Sequence, residues 1–101
     1  MSESRVAARA PSTDHVLESV ADETRRDVLA VLDAESGPVS VRELATTVAA
    51  LRTGRSYAEV TFGDRMPIAV ALVHVHLPAL RDAGLLAWEP GGAVEPTSGL
   101  A

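Results

Sequence analysis

Four stretches of the chain carry apolar residues at the spacing of a helix. The first follows the N-cap residues Ser12, Thr13 and Asp14, and the second covers residues 22–35, where the Ser-Gly-Pro sequence at 36–38 ends it. One face of the short first helix is expected to carry Val16, Leu17 and Val20.

The third and fourth stretches are predicted to form longer helices. Ser40 is expected to cap the third, since Glu43 three residues later completes a capping box. A fourth helix is predicted over residues 64–83, where Pro67 fits only the first turn and Pro78 should kink or loosen the helix near 74–78. The expected inward positions are Leu44, Ala45, Val48 and Leu51 on the third helix and Val70, Val73, Leu77 and Leu80 on the fourth.

The segment 85–97 reads as a β-hairpin around the turn Pro90-Gly91-Gly92. Helices followed by one hairpin give a mostly α fold with a small antiparallel β-hairpin, the element order of a winged helix-turn-helix. We therefore expect a winged-helix domain over residues 13–98. Residues 1–12 should form a disordered N-terminal tail and residues 99–101 a short C-terminal tail.

Particular motifs connect the chain to a known family. Residues 76–86, HLPALRDAGLL, resemble the H-L-x-x-L-x-x-A-G-L-V segment of ArsR-type winged-helix regulators. Residues 21–29 are similar to that family's second helix with its R-R-x-x-L pattern, and residues 41–45 to its third. Residues 72–80, LVHVHLPAL, match the L-x-H-x-H-L-P-x-L signature of a group of small winged-helix domains from halophilic archaea. The resemblance covers roughly residues 14–97.

The resemblance implies a dimeric DNA-binding regulator of transcription, with the fourth helix as recognition helix. The residues expected to face outward on that helix, toward DNA, are Ala71, Leu72, His74 and Val75. This face is almost wholly apolar, whereas base reading favours Arg, Asn, Gln, Ser and Thr, so it equally suggests a protein contact. ArsR-like regulators dimerise through terminal helices, which places Val16, Leu17 and Val20 at the expected homodimer interface.

Three arginines are the candidate phosphate contacts. Arg52, Arg55 and Arg65 form the one basic concentration and flank the loop that leads into the fourth helix. Arg25 and Arg26 are expected to pair with acids on their own helix, and His76 to be structural.

Composition narrows the class of protein. The chain of 101 residues has no cysteine, fourteen acids against nine bases and a net charge of −5, and all nine bases are arginine. No thiol chemistry, apolar membrane span, catalytic set, cofactor motif or metal cluster is expected, and the location is predicted to be cytoplasmic. Two functions remain: a dimeric winged-helix regulator that binds double-stranded DNA, and a winged-helix module that binds a protein without sequence-specific DNA binding.

Overall fold

Four α-helices and a two-stranded antiparallel sheet make up the part of the chain that the computed structural model describes, residues 22–97. The protein is mostly helical there. The predicted first helix lies outside the described residues, and with it Val16, Leu17 and Val20. Both predicted tails also lie outside them. In chain order the elements are α1 (Glu23–Ala34), α2 (Val41–Thr53), a 3-10 turn (Tyr57–Glu59), α3 (Phe62–Ala71), a π-helical turn (Leu72–His76), α4 (Leu77–Asp82), β1 (Leu86–Ala87) and β2 (Glu95–Pro96).

The predicted starts of α1 and α2 are confirmed by their caps. Asp22 accepts the Thr24 N–H at 2.8 Å and begins α1. At α2 the Ser40 hydroxyl accepts the Glu43 N–H and the Glu43 carboxylate accepts the Ser40 N–H, both at 3.0 Å. Gly54 ends α2 with a left-handed backbone, φ +74°, which glycine adopts without strain.

Helix α3 begins earlier than the sequence suggested. Thr61 and Asp64 form a second capping box, in which each backbone N–H bonds the other side chain at 3.0–3.1 Å. Pro67 consequently lies inside α3 and not in its first turn, so the expectation that the regular helix starts near this proline was wrong.

The helix over residues 62–82 changes its winding ahead of Pro78. In the π-helical turn the Leu77 N–H donates to the Leu72 carbonyl, five residues back. Pro78 has no N–H to offer the His74 carbonyl, so the α-helical bonding pattern has a gap at this point. The loosening predicted near residues 74–78 is present as this wider turn.

Because of the wider turn, the residues of this helix that face the core differ from those predicted. Leu72, expected outside, is wholly buried with Leu77 and Leu80, whereas Val70, expected inside, is 46% exposed. A π turn holds more residues than an α turn, so positions five apart, such as Leu72 and Leu77, come to lie on one face. On α2 the predicted burial of Leu51 was also wrong, because it is 61% exposed.

Two short strands form the sheet, and a separate bridge beside β2 connects it to the segment between α1 and α2. Leu86 pairs with Pro96 and Ala87 with Glu95, while Val39 and Val94 exchange backbone hydrogen bonds of 2.9 and 2.8 Å. The predicted hairpin is therefore present with short strands. Between the helices and the sheet lies one apolar core, which includes Val28, Leu32, Leu44, Val48, Leu72, Leu77, Leu80, Leu86 and Val94.

Candidate interaction surface

The exposed face of α3 consists of uncharged side chains alone. Its exposed residues are Phe62, Gly63, Met66, Pro67 and Val70. Phe62, Met66 and Val70 recur every four residues and so form one stripe along the helix. Phe62 is 68% exposed, the largest exposure among the large apolar residues of the described part of the chain. None of these side chains can donate a hydrogen bond.

The residues predicted to read DNA do not form one outer face. His74 and Val75 are exposed, and Ala71 is half-buried. Leu72 is part of the core and cannot meet a ligand without unfolding the helix, so its assignment to the outer face was wrong. On the long helix over residues 62–82, the exposed residues therefore lie mainly in α3 and less in residues 71–75.

Two of the three candidate phosphate ligands are engaged by carboxylates. On α2, Arg52 lies 3.4 Å from the Asp27 carboxylate of α1 and also donates to the Thr24 hydroxyl. Arg55 forms an ion pair with Asp64, the carboxylate that caps α3. A phosphate would have to compete with these acids for both arginines.

Arg65 differs from the other two arginines. It lies half-buried on α3, and within residues 22–97 it makes no ion pair. It is therefore the one member of the predicted basic set that has no carboxylate partner in the described part of the chain.

Asp64 connects this arginine cluster to the start of α3. The pKa of the Asp64 carboxyl is lowered, first because it accepts the Thr61 N–H and then because the Thr61 hydroxyl and the Arg55 guanidinium are close. The carboxylate therefore stays ionised at neutral pH, as a helix N-cap partner and as the counterion of Arg55.

His76 holds α1 against the long helix. The Arg25 Nε–H donates to His76 Nδ1 at 3.1 Å, so Arg25 does not take the acidic partner predicted for it on its own helix. Burial lowers the pKa of His76, and the nearby Arg25 charge adds to that effect although Asp22 opposes it. A neutral imidazole is required, because a protonated Nδ1 cannot accept the hydrogen bond. The structural role predicted for His76 fits this contact.

The loop between β1 and β2 carries no charged residue at its tip, residues 90–92. Pro90, Gly91 and Gly92 are exposed, and the Gly92 N–H closes the turn onto the Glu89 carbonyl at 2.8 Å. Trp88 behind the loop is 5% exposed and lies under the Arg81 guanidinium, 5.7 Å from the ring centre. Trp88 is therefore part of the core.

Comparison with known proteins places the chain in a family. The family model described as a domain of unknown function, DUF7344, matches residues 17–95. The chain belongs to the DUF7344 family. No curated protein and no solved structure matches it. The match extends from before α1 to β2, so the uncharged face of α3 and the loop between β1 and β2 both lie within the DUF7344 domain.

Residues 22–97 hold no metal-ligand cluster and no membrane-spanning helix. No three His, Asp or Glu side chains there come together as metal ligands. None of the helices in that range is long and apolar enough to cross a membrane.

Sequence reasoning missed most of the α3 face in this DUF7344 domain. It assigned Phe62 to a loop and gave no role to Met66, although Thr61 and Asp64 have the spacing of a capping box. Reading that box as a helix start places Phe62, Met66 and Val70 four residues apart on one helix, which is the signal for the stripe.

Proposed function

We propose that the chain is a winged-helix interaction module without sequence-specific DNA reading, which pairs with a second copy of itself through the exposed face of α3. The order of helices and strands supports the winged-helix assignment.

The composition of the α3 face is the observation that carries this function. A helix that reads base pairs presents hydrogen-bonding side chains to the groove, most often Arg, Lys, Asn or Gln. Here the exposed residues, from Phe62 to Val70, present apolar carbon, a thioether and glycine. Aromatic residues and methionine are enriched at the centres of protein interfaces, where charged residues are depleted.

Charge limits where a second copy can bind, and it does not oppose binding at the α3 face. The chain has a net charge of −5, so two copies repel through most orientations. The uncharged side of α3 lets two identical molecules approach without placing like charges opposite each other. An isologous contact about a two-fold axis would pair the stripe of Phe62, Met66 and Val70 with itself.

Sedimentation velocity in about 2 M KCl tests the association, because high salt strengthens apolar contacts. The wild type should sediment as a dimer, and Phe62→Asp or Met66→Asp should give monomers. Leu51→Asp is the matched control, since Leu51 is an equally exposed apolar residue on another helix. Circular dichroism melts establish that the variants are folded.

Several results would overturn the proposed contact. A wild-type monomer at all concentrations would exclude self-association through any face. Dissociation by Leu51→Asp as well as by Phe62→Asp would show a general effect of added charge. A dimer that survives Phe62→Asp but is lost with Leu17→Asp would move the interface to residues 16–20, as the sequence predicts.

Arg65 favours a second candidate, a dimeric regulator that binds duplex DNA. It lies on α3 without a carboxylate partner in the described part of the chain, so it is free to reach a phosphate. Fluorescence anisotropy with random duplex DNA at low and at molar KCl measures this binding. If the candidate is right, Arg65→Ala weakens binding equally for all sequences and lowers the salt slope by roughly one counterion, whereas Arg52→Ala has a smaller effect.

A further inference from the structure

A second surface feature lies away from the α3 face. A cleft of about 380 Å³ separates the wing loop from the start of α2 and from the π-helical turn. Its volume falls within the range of small-molecule pockets. The lining includes Ser40, Val41, Val73, Trp88, Pro90 and Gly91.

Trp88, which lines this cleft, carries an unsatisfied donor. Its side chain is almost wholly buried, and its indole Nε1 is the one buried side-chain nitrogen or oxygen in residues 22–97 that has no hydrogen-bond partner. Buried tryptophan N–H groups usually find an acceptor, because a buried donor without one is costly. The neighbouring charge, on Arg81, is itself a donor and cannot serve.

The remaining lining limits the charge of a ligand. No lining side chain is ionised, so the cleft has no counterion for an anion or for a cation. The Ser40 hydroxyl accepts the Glu43 N–H as the cap of α2, and its own O–H can still donate. The lining therefore combines apolar surface from Val41, Val73 and Pro90 with two donors, the Ser40 O–H and the buried indole N–H of Trp88.

We propose that the cleft between the wing and α2 binds a small neutral molecule, largely apolar, whose single carbonyl oxygen accepts the Trp88 N–H. The indole nitrogen is itself covered, so binding needs a local opening, which we place in the wing loop that lines the cleft. The loop is suited to this motion because Pro90, Gly91 and Gly92 are exposed and Gly91 already has a left-handed backbone, φ +88°. The proposal does not depend on self-association through α3.

Titration of the 15N-labelled protein by NMR tests the site directly. The chain has one tryptophan, so a single indole N–H resonance reports on Nε1. The probes are cyclohexanone and methylenecyclohexane, which share their shape but differ in the acceptor oxygen. Cyclohexanone should move the indole resonance downfield in a saturable manner, with an affinity about tenfold higher than that of methylenecyclohexane.

Two variants separate the hydrogen bond from the shape of the cleft. Trp88→Phe keeps an aromatic ring and removes the donor, so the backbone resonances of Gly91 and Gly92 should respond equally to both probes. Ala93→Leu fills the cleft and should reduce cyclohexanone affinity about tenfold, whereas Ala87→Leu, on an exposed strand position outside the cleft, should not.

Three results would overturn the proposed site. The first is an indole resonance that does not respond to cyclohexanone. The second is equal affinity of the wild type for both probes, because the N–H would then contribute nothing. The third is a preference for cyclohexanone that persists in Trp88→Phe. If Trp88→Phe does not fold, the comparison of Ala93→Leu with Ala87→Leu decides whether the probe occupies this cleft.

Discussion

Leu72 and Val70 lie two residues apart on one helix, and the structure predicts very different costs for shortening them. Leu72 has no exposed surface, and it packs in the core with Leu77 and Leu80. Leu72→Ala removes three buried carbon atoms and leaves a cavity, which costs about 2–5 kcal/mol of unfolding free energy. Val70 is 46% exposed, so Val70→Ala should change stability by no more than about 0.5 kcal/mol.

Thermal melts followed by circular dichroism measure this difference. In a domain of this size each kcal/mol lowers Tm by about 4–8 °C, so Leu72→Ala should lower it by roughly 8–40 °C. That loss is large against the stability of about 5–15 kcal/mol of ordinary domains. Val70→Ala should melt within about 4 °C of the wild type. A larger loss from Val70→Ala than from Leu72→Ala would mean that the helix is a regular α-helix here, with the face predicted from the sequence.

Two further predictions concern contacts at the helix starts and between helices. Because burial lowers the pKa of His76 below its ordinary value of 6.5, the unfolded chain binds this proton more readily than the folded one. Stability from His76 is complete above the ordinary pKa of 6.5 and is lost as the pH falls through the lowered pKa, so Tm should fall as the pH is lowered below about 6.5. His76→Gln should flatten this dependence, whereas exposed His74→Gln should leave it, and an unchanged slope in His76→Gln would contradict the role of the Arg25 contact. Ser40→Ala removes the acceptor for the Glu43 N–H and should cost about 0.5–2 kcal/mol in urea unfolding, and a cost near zero would show that the capping box contributes nothing.

Local signals in the sequence predict the local structure well. The capping box at Ser40 and Glu43, the cap at Asp22 and the stop after α1 lie where the residue types require them. Each depends on hydrogen bonds between residues two to four apart, so neighbouring residues contain all of the information. The Thr61 and Asp64 box has the same spacing, but Pro67, placed in a first turn, predicts a later helix start than the box does.

Contacts between distant residues could not be predicted in this way. Arg52 pairs with Asp27 on another helix, and Arg25 donates to His76, fifty-one residues along the chain. Arg25 also has acids nearby in sequence, which makes local pairing the natural interpretation for it, whereas Arg52 has no acid between residues 44 and 58. The packing of α1 against α2 and the long helix decides which partner each arginine reaches. The spacing of residues within one helix does not predict how that helix packs against another.

The π-helical turn explains why the candidate surface was misplaced. A regular period of 3.6 residues, applied through residues 64–83, puts Val70 inside and Leu72 outside. Pro78 cannot donate to the His74 carbonyl, and the Leu77 N–H reaches back to Leu72 instead. The wider turn brings Leu72 onto the core face above Leu77 and leaves Val70 outside with Phe62 and Met66. A proline eight residues after Val70 thus contributes to the uncharged stripe on α3, and the proposed self-association rests on that stripe.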